Sequence, residues 1–258
     1  MNGWPYPRWI AHRGAGKLAP ENTLAAFRLG AQLGYRGFEC DVKLSADGIP
    51  FLLHDATLER TTDGLGMASF HPWSALAQLD AGAWHGRAYA GEPLPTFAAV
   101  ARYCLANGHA LNIEIKPTPG DEERTGAAVA AAAARLWTGH ERPPLLSSFS
   151  PEALAAARDA APAMPRALLV KQPGPDWLAS ARALGCGAVV TQFGMMDVAL
   201  IGQLRAAGLR AAVYTVNDPA EVRRLLGLGI DSLITDEVDQ FAPGIEHLDS
   251  AAKIGRCT

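Results

Sequence analysis

The sequence predicts an α/β protein, a closed (β/α)8 barrel of the TIM type. Short apolar runs alternate with longer amphipathic stretches, and strands alternating with helices pair in parallel through right-handed crossovers. Eight such units can be counted in 258 residues, and a barrel of eight units takes about 250. Polar and ionisable residues gather where the runs end, while the starts are apolar, as expected if a site occupies the C-terminal mouth of the barrel. An open doubly wound sheet is the alternative, and one miscounted strand separates the two.

Taken in order, Arg8–His12 is the first strand, and its helix is Thr23–Leu33, preceded by Pro20-Glu21-Asn22 and stopped by Gly34. Gly37–Lys43 is the second strand. Ser45-Ala46-Asp47-Gly48 turns the chain, and Ile49–His54 returns from the turn. Residues 55–93 break the rhythm and read as a small insertion within one domain spanning 1–258. After the helix Thr96–Ala106 the pattern resumes: Ala110–Lys116 with Asp121–Leu136, then Leu145–Ser148 with Pro151–Ala160, where proline opens the helix. Arg166–Lys171 pairs with Asp176–Leu184, Ala188–Gln192 with Met196–Ala207, and Leu209–Val216 with Pro219–Leu228. Asp231–Thr235 is the eighth strand, and a short helix is expected after Asp236.

Composition narrows the function. The net charge is −3, from 23 basic and 26 acidic residues. No Lys/Arg run marks a nucleic-acid or membrane surface, so neither nucleic acid nor a stable membrane association is expected. The four cysteines are scattered without a CxxC pair, which indicates neither a thiolate zinc site nor a disulfide framework. There is no signal-peptide core in the first residues and no run of about 20 apolar residues. A cytoplasmic protein with reduced thiols is the expectation.

The chemistry concentrates in 38–55, FECDVKLSADGIPFLLHD. As a strand, its period of two places Glu39, Asp41 and Lys43 on one face and Phe38, Cys40, Val42 and Leu44 on the other. Charges on one face of an interior strand require a compensating ion, an ion pair or a wet cleft. Glu39, Asp41 and Glu114 on adjacent strands form an oxygen set suited to Mg²⁺ or Ca²⁺; the competing reading pairs Glu39 with Lys43 or Lys116, and Glu114 with Lys116. His12 and His54 each end a strand segment. Two imidazoles at one mouth suit acid–base catalysis at phosphorus, whereas an isolated histidine more often caps a strand. The Arg13 guanidinium matches two phosphate oxygens, or pairs with Glu39 or Asp41. Lys116 would hold an anionic substrate, with ion pairing an equal competitor. Asn22 reads as an N-cap or a ligand, and Asp55 as an orienter of His54 or the start of a turn. Tyr214 could wall the pocket or merely cover the mouth. Phe149, Lys171 and Gln192 line the predicted mouth. His71, His85, His109, His140 and His247 are expected in solvent, Cys40 in the core, and Ser147-Ser148 lacks the GxSxG elbow of a serine hydrolase.

These segments resemble the glycerophosphodiester phosphodiesterases: HRG at 12–14, PENT at 20–23, FECDVKLSADG at 38–48, LLHDATLERTTDGLG at 52–66, LDAGAW at 79–84, GEPLPTF at 91–97, NIEIK at 112–116, SSF at 147–149, YTVN at 214–217 and GIDSLITDEVD at 229–239. The resemblance implies a barrel with a small insertion after its second strand, a divalent cation (Mg²⁺ or Ca²⁺) on Glu39, Asp41 and Glu114, His12 and His54 as the acid–base pair, and Arg13 and Lys116 on the phosphate. It implies hydrolysis of glycerophosphodiesters such as glycerophosphocholine or glycerophosphoethanolamine to glycerol 3-phosphate and an alcohol. Family members often carry Trp where this chain has Tyr214. The compact insertion resembles the short cytoplasmic bacterial members. Rival readings are a phospholipase, a metal-dependent sugar isomerase on the same barrel, and a non-catalytic barrel binding a phosphorylated ligand. Arg13 and Lys116 favour an anionic substrate over the isomerase.

Overall fold

In the computed structural model, which describes residues 3–172, 174 and 176–241, nine strands form one sheet. They are β1 (Trp9–Ala11), β2 (Gly37–Leu44), β3 (Pro50–Leu52), β4 (Ala110–Ile115), β5 (Leu145–Ser148), β6 (Arg166–Val170), β7 (Ala188–Gln192), β8 (Arg210–Tyr214) and β9 (Ser232–Thr235). β1 pairs in parallel with both β2 and β9, which closes eight parallel strands into a barrel. β3 is the extra one, antiparallel on β2 with Val42 opposite Leu52. It is the return segment after the Ser45–Gly48 turn.

Side-chain alternation divides the apolar residues between two layers. Ile10, Ala110, Leu145, Leu169, Val190 and Ile234 fill the barrel interior with Tyr6. Phe38, Cys40, Val42, Leu111, Ile113 and Ile115 point outward into the annulus covered by the helices. Every apolar side chain of β2 goes outward, so Glu39, Asp41 and Lys43 are left for the inside, and all three are buried. The inside of β2 is therefore polar, and Asn112, Glu114 and Ser147 extend that polar patch onto β4 and β5, whereas β1, β6, β7, β8 and β9 supply small or branched hydrophobics such as Ile10, Leu169, Val190, Ala212 and Ile234.

The helices are α1 (Leu24–Gln32), α2 (Trp73–Leu76), α3 (Phe97–Ala106), α4 (Glu122–Leu136), α5 (Pro151–Ala160), α6 (Trp177–Ala183), α7 (Val198–Ala206) and α8 (Pro219–Leu228). Several begin one residue later than the periodicity predicts, because the polar residue counted as the first turn is the cap. Thr23, Thr96 and Ser150 each accept from a backbone N–H three residues on, and Asp197 does so for α7. The predicted helix from Met196 starts at Val198 for this reason, behind a 3-10 turn at Phe193–Met195. The expected C-terminal helix after Asp236 lies largely outside the described residues, as do His247 and Cys257.

Between β3 and α3, residues 53–96 hold two 3-10 turns and the single turn α2. This stretch has an apolar centre of its own: Phe51, Leu53, Leu58, Ala68, Leu76, Ala81 and Leu94. Leu65 and Phe70 on its outside are exposed. His109, expected in solvent, is buried instead, with its ring edge-on to Phe38 at 5.1 Å and close to Tyr103. It directly precedes β4, where the annulus covers it. No helix among the described residues is long and apolar enough to cross a membrane.

Gly30 on α1 lets the helix lie against the chain that follows β1. A Cβ there would stand 2.3 Å from the Gly14 carbonyl oxygen and 2.8 Å from Phe38 Cε1. Alanine would gain about 1 kcal/mol of helix propensity, but forcing backbone apart in a packed core costs about 1–3 kcal/mol. Gly30→Ala is expected to lower the urea midpoint of unfolding; an unchanged or higher midpoint would show that the chain relaxes freely here.

Candidate active site

The strand register builds the site. Asp41 stands opposite Glu114, and Glu39 opposite Asn112, so three carboxylates lie close together on two neighbouring strands. One oxygen each from Glu39, Asp41 and Glu114 lies within 4.8 Å of the others. Burial and the Asp41 charge push Glu39 up to about 8, and push Glu114 up as well. Asp41 goes the other way. Burial opposes its ionisation, but Arg13, Lys116 and a hydrogen bond from Asn22 outweigh it. Glu39 Oε1 is buried with no hydrogen-bond partner. A buried, partnerless carboxylate oxygen in a trio of hard donors fits a divalent cation held by Glu39, Asp41 and Glu114.

The loop from β1 to α1 carries the next groups. Arg13 and Asn22 have φ of 51° and 60°, the non-glycine residues with positive φ among those described. Strain of this kind persists only where surroundings over-determine the backbone. Here Asn22 N donates to the Arg13 carbonyl, and the Asn22 amide grips Asp41 twice: Nδ2 donates to Oδ2 at 2.8 Å, and Oδ1 accepts from the Asp41 backbone N–H at 3.1 Å. Thr23, not Asn22, caps α1. The cap reading of Asn22 is thereby replaced by a role in holding Asp41. Gly16, at φ +56, passes so close to the Asp236 backbone that a Cβ would lie 2.0 Å from its carbonyl oxygen, which docks this loop on the end of β9.

Both histidines arrive at the mouth, and each leans on a carboxylate through Nδ1. His12 Nδ1 is 2.6 Å from Asp236 Oδ1, and its Nε2 is 3.8 Å from Glu39 Oε2. His54 Nδ1 is 2.7 Å from Asp55 Oδ1. An ionised carboxylate only accepts, so Nδ1 carries the proton in both rings and Nε2 is left for exchange. Their surroundings differ. Burial disfavours charge on His12, but the Asp236 hydrogen bond and Glu39 outweigh it and raise its pKa. Burial dominates at His54 and lowers its pKa.

Lys116 Nζ donates to Glu114 Oε1 at 2.8 Å, lies 3.7 Å from Asp41 Oδ1, and sits 5.8 Å from the centre of the Phe149 ring. Phe149 meets Tyr214 edge to face at 5.8 Å. Arg13 is more engaged than a phosphate clamp waiting for its ligand. Its Nη1 donates to Glu21 Oε1 at 2.8 Å, its Nε lies 3.3 Å from Asp41 Oδ2, and its backbone N–H donates to Glu39 Oε2. Lys43, expected as a charge partner at the rim, is 4 % exposed and donates to the Lys116 carbonyl instead; burial lowers its pKa to about 8. Ser147 and Ser148 are fully buried and bonded to Asn112 and the Ile115 carbonyl.

These groups surround a cavity of about 390 Å³ lined by His12, Arg13, Glu39, His54, Glu114, Lys116, Phe149, Lys171 and Tyr214 among others. A second, of about 560 Å³, shares His54, Glu114, Lys116 and Phe149 and extends over Asp55 and Lys43. Gln192, placed at the mouth from the sequence, lines neither; its amide oxygen accepts from the Gly194 N–H. Reading the sequence left Asp236, Asn217, Glu21 and Arg60 without a role. Asn217 Nδ2 donates to Asp236 Oδ2 at 3.0 Å, bracing the carboxylate that holds His12. The position of Asp236, one residue past a strand end, was visible, but its partner lies 224 residues away.

The chain is similar to several known proteins. A glycerophosphodiester phosphodiesterase from Caldanaerobacter subterraneus subsp. tengcongensis is 32 % identical over 236 residues, covering 88 % of this chain and 93 % of the relative. One from Bacillus subtilis is 29 % identical over 251 residues, covering 90 % of this chain and 84 % of the relative. An Oleispira antarctica phosphodiesterase, solved in complex with the product sn-glycerol-3-phosphate, superposes with a TM-score of 0.85 at 35 % identity, over 96 % of this chain and 97 % of that one. The glycerophosphodiester phosphodiesterase of Agrobacterium tumefaciens gives 0.77 at 31 % identity, over 91 % of this chain and 98 % of its own. The profile of the glycerophosphoryl diester phosphodiesterase family matches residues 12–240, a span that opens on His12 and closes just beyond its partner Asp236, and the chain belongs to that family.

Proposed function

We propose that this chain hydrolyses glycerophosphodiesters, such as glycerophosphocholine and glycerophosphoethanolamine, to glycerol 3-phosphate and an alcohol. The observation that carries the reading is the meeting of two carboxylate-backed imidazoles and a buried carboxylate trio around one cavity. Mg²⁺ or Ca²⁺ on Glu39, Asp41 and Glu114 would supply Lewis-acid stabilisation of charge on the phosphoryl oxygens.

The chain's own residues supply the remaining chemistry. Lys116, held between Glu114 and Asp41, offers its remaining N–H groups to the anionic phosphate. Arg13 adds positive charge, shared with Glu21 and Asp41, to the same wall. His12 and His54 present Nε2 to the reacting group, one to take a proton from the nucleophile and one to give a proton to the departing oxygen. Asp236 and Asp55 hold the two rings, Asn22 holds Asp41, and Phe149 with Tyr214 walls the substrate. The domain reading is one catalytic unit with 55–93 as its insertion, and a cytoplasmic location accords with a small, water-soluble substrate.

The reading is tested by incubating the protein with glycerophosphocholine, with and without Mg²⁺ or Ca²⁺, and detecting glycerol 3-phosphate enzymatically. Binding without product would favour the non-catalytic barrel. Chelation followed by dialysis is expected to abolish turnover, and re-addition of the cation to restore it; full activity in excess EDTA would remove the metal from the mechanism. His12→Ala and His54→Ala are each expected to lower kcat by about 10²–10⁴-fold, and near-normal turnover in either would end its assignment. Asp236→Asn faces the His12 Nδ1–H with an amide that favours the wrong tautomer, so kcat is expected to fall between about 10-fold and 10⁴-fold. Steady-state kinetics check both sets.

A further inference from the structure

We infer that Arg60, supplied by the insertion, is a positioning residue for both halves of the mouth: it holds His54 through Asp55 and Arg13 through Glu21. The inference rests on the hydrolytic reading above and adds a residue to it.

Arg60 makes four hydrogen bonds to two carboxylates. Nε and Nη2 donate to Asp55 Oδ2 and Oδ1 at 2.6 and 3.0 Å, and Nη1 and Nη2 donate to Glu21 Oε2 and Oε1 at 2.7 and 2.8 Å. Each carboxylate then passes one of the same oxygens inward. Asp55 Oδ1 takes the His54 Nδ1–H at 2.7 Å, and Glu21 Oε1 takes Arg13 Nη1 at 2.8 Å. The result is an unbroken chain, His54–Asp55–Arg60–Glu21–Arg13, joining the end of the β3 segment to the loop after β1.

Arg60 lines neither cavity and its side chain is 44 % exposed, so it acts on the reaction through its partners. An isolated ion pair at this exposure contributes little. This guanidinium differs because both of its partners are fastened on their far side to groups that line the cavity. A planar fork fixes the angle between two carboxylates, which the point charge of a lysine cannot do. Without it, the half-exposed Asp55 is free to turn to water, which leaves His54 Nδ1 unheld. Glu21 is then left to Arg13 alone, and Arg13 is free to move further onto Asp41, 3.3 Å from its Nε already.

The test uses the full chain carrying Arg60→Ala and Arg60→Lys, assayed with glycerophosphocholine and Mg²⁺. The expected result is a kcat lowered by about 10–100-fold, a raised KM as Arg13 is released onto Asp41, a thermal midpoint nearly unchanged, and only partial recovery with lysine. Arg60→Ala combined with Asp55→Asn should lower kcat by less than the product of the two single effects, since the two share the His54 ring. A readout independent of turnover is the His54 tautomer from ¹H–¹⁵N spectra of the side chain. It should be the Nδ1–H form in the parent protein and a mixture in Arg60→Ala. An unchanged tautomer, or a kcat within about twofold of the parent, would overturn the inference and leave Arg60 as a surface tie. A parent protein that fails to hydrolyse glycerophosphocholine would instead count against the proposed function, while the tautomer still decides the case of Arg60.

Discussion

Glu39, Asp41 and Glu114 stand side by side in the interior of the barrel, and much of the local structure answers that charge. Like charges so close cannot all ionise without compensation, which is why burial and mutual repulsion raise two of the three. The chain responds around Asp41 with a strained asparagine, an arginine and a lysine. It leaves Glu39 Oε1 unanswered. Asp41 is compensated fully, whereas Glu39 has a donor on Oε2 alone, and the trio could hold an additional positive charge.

The two imidazoles reach this cluster by different routes. His12 follows the first strand, and its orientation depends on Asp236 after the last, so ring closure and the placing of His12 are one event. His54 comes from β3, which runs against the barrel and returns the chain to the mouth it left after β2. The insertion that follows extends from the rim, and Arg60 lies at its start. Attachment at that point makes a surface excursion part of the site's frame.

The strand–helix alternation was legible throughout, because buried parallel strands read as apolar runs and capped helices announce their starts. The alternation in Phe38–Leu44 placed Glu39, Asp41 and Lys43 on the inner face directly. What stayed hidden was partner choice. Arg13 could be seen as a cation that pairs with Glu39 or Asp41, but nothing local told that Glu21 would share it with Asp41. Lys43 sits at a legible position, yet its ammonium turns to a backbone carbonyl that only the packed mouth supplies. His109 looked like a loop residue because burial by the helical annulus leaves no periodic mark on a single position.

The seam between β1 and β9 also sets when the site can exist. His12 is synthesised 224 positions before Asp236, which orients it. Contacts of such long sequence separation form late, because the loop entropy they close is paid before they return anything. On the ribosome, the nascent chain therefore carries both histidines well before His12 is oriented. The orientation of His12 is a property of the finished ring, and a chain interrupted before Asp236 is left without it.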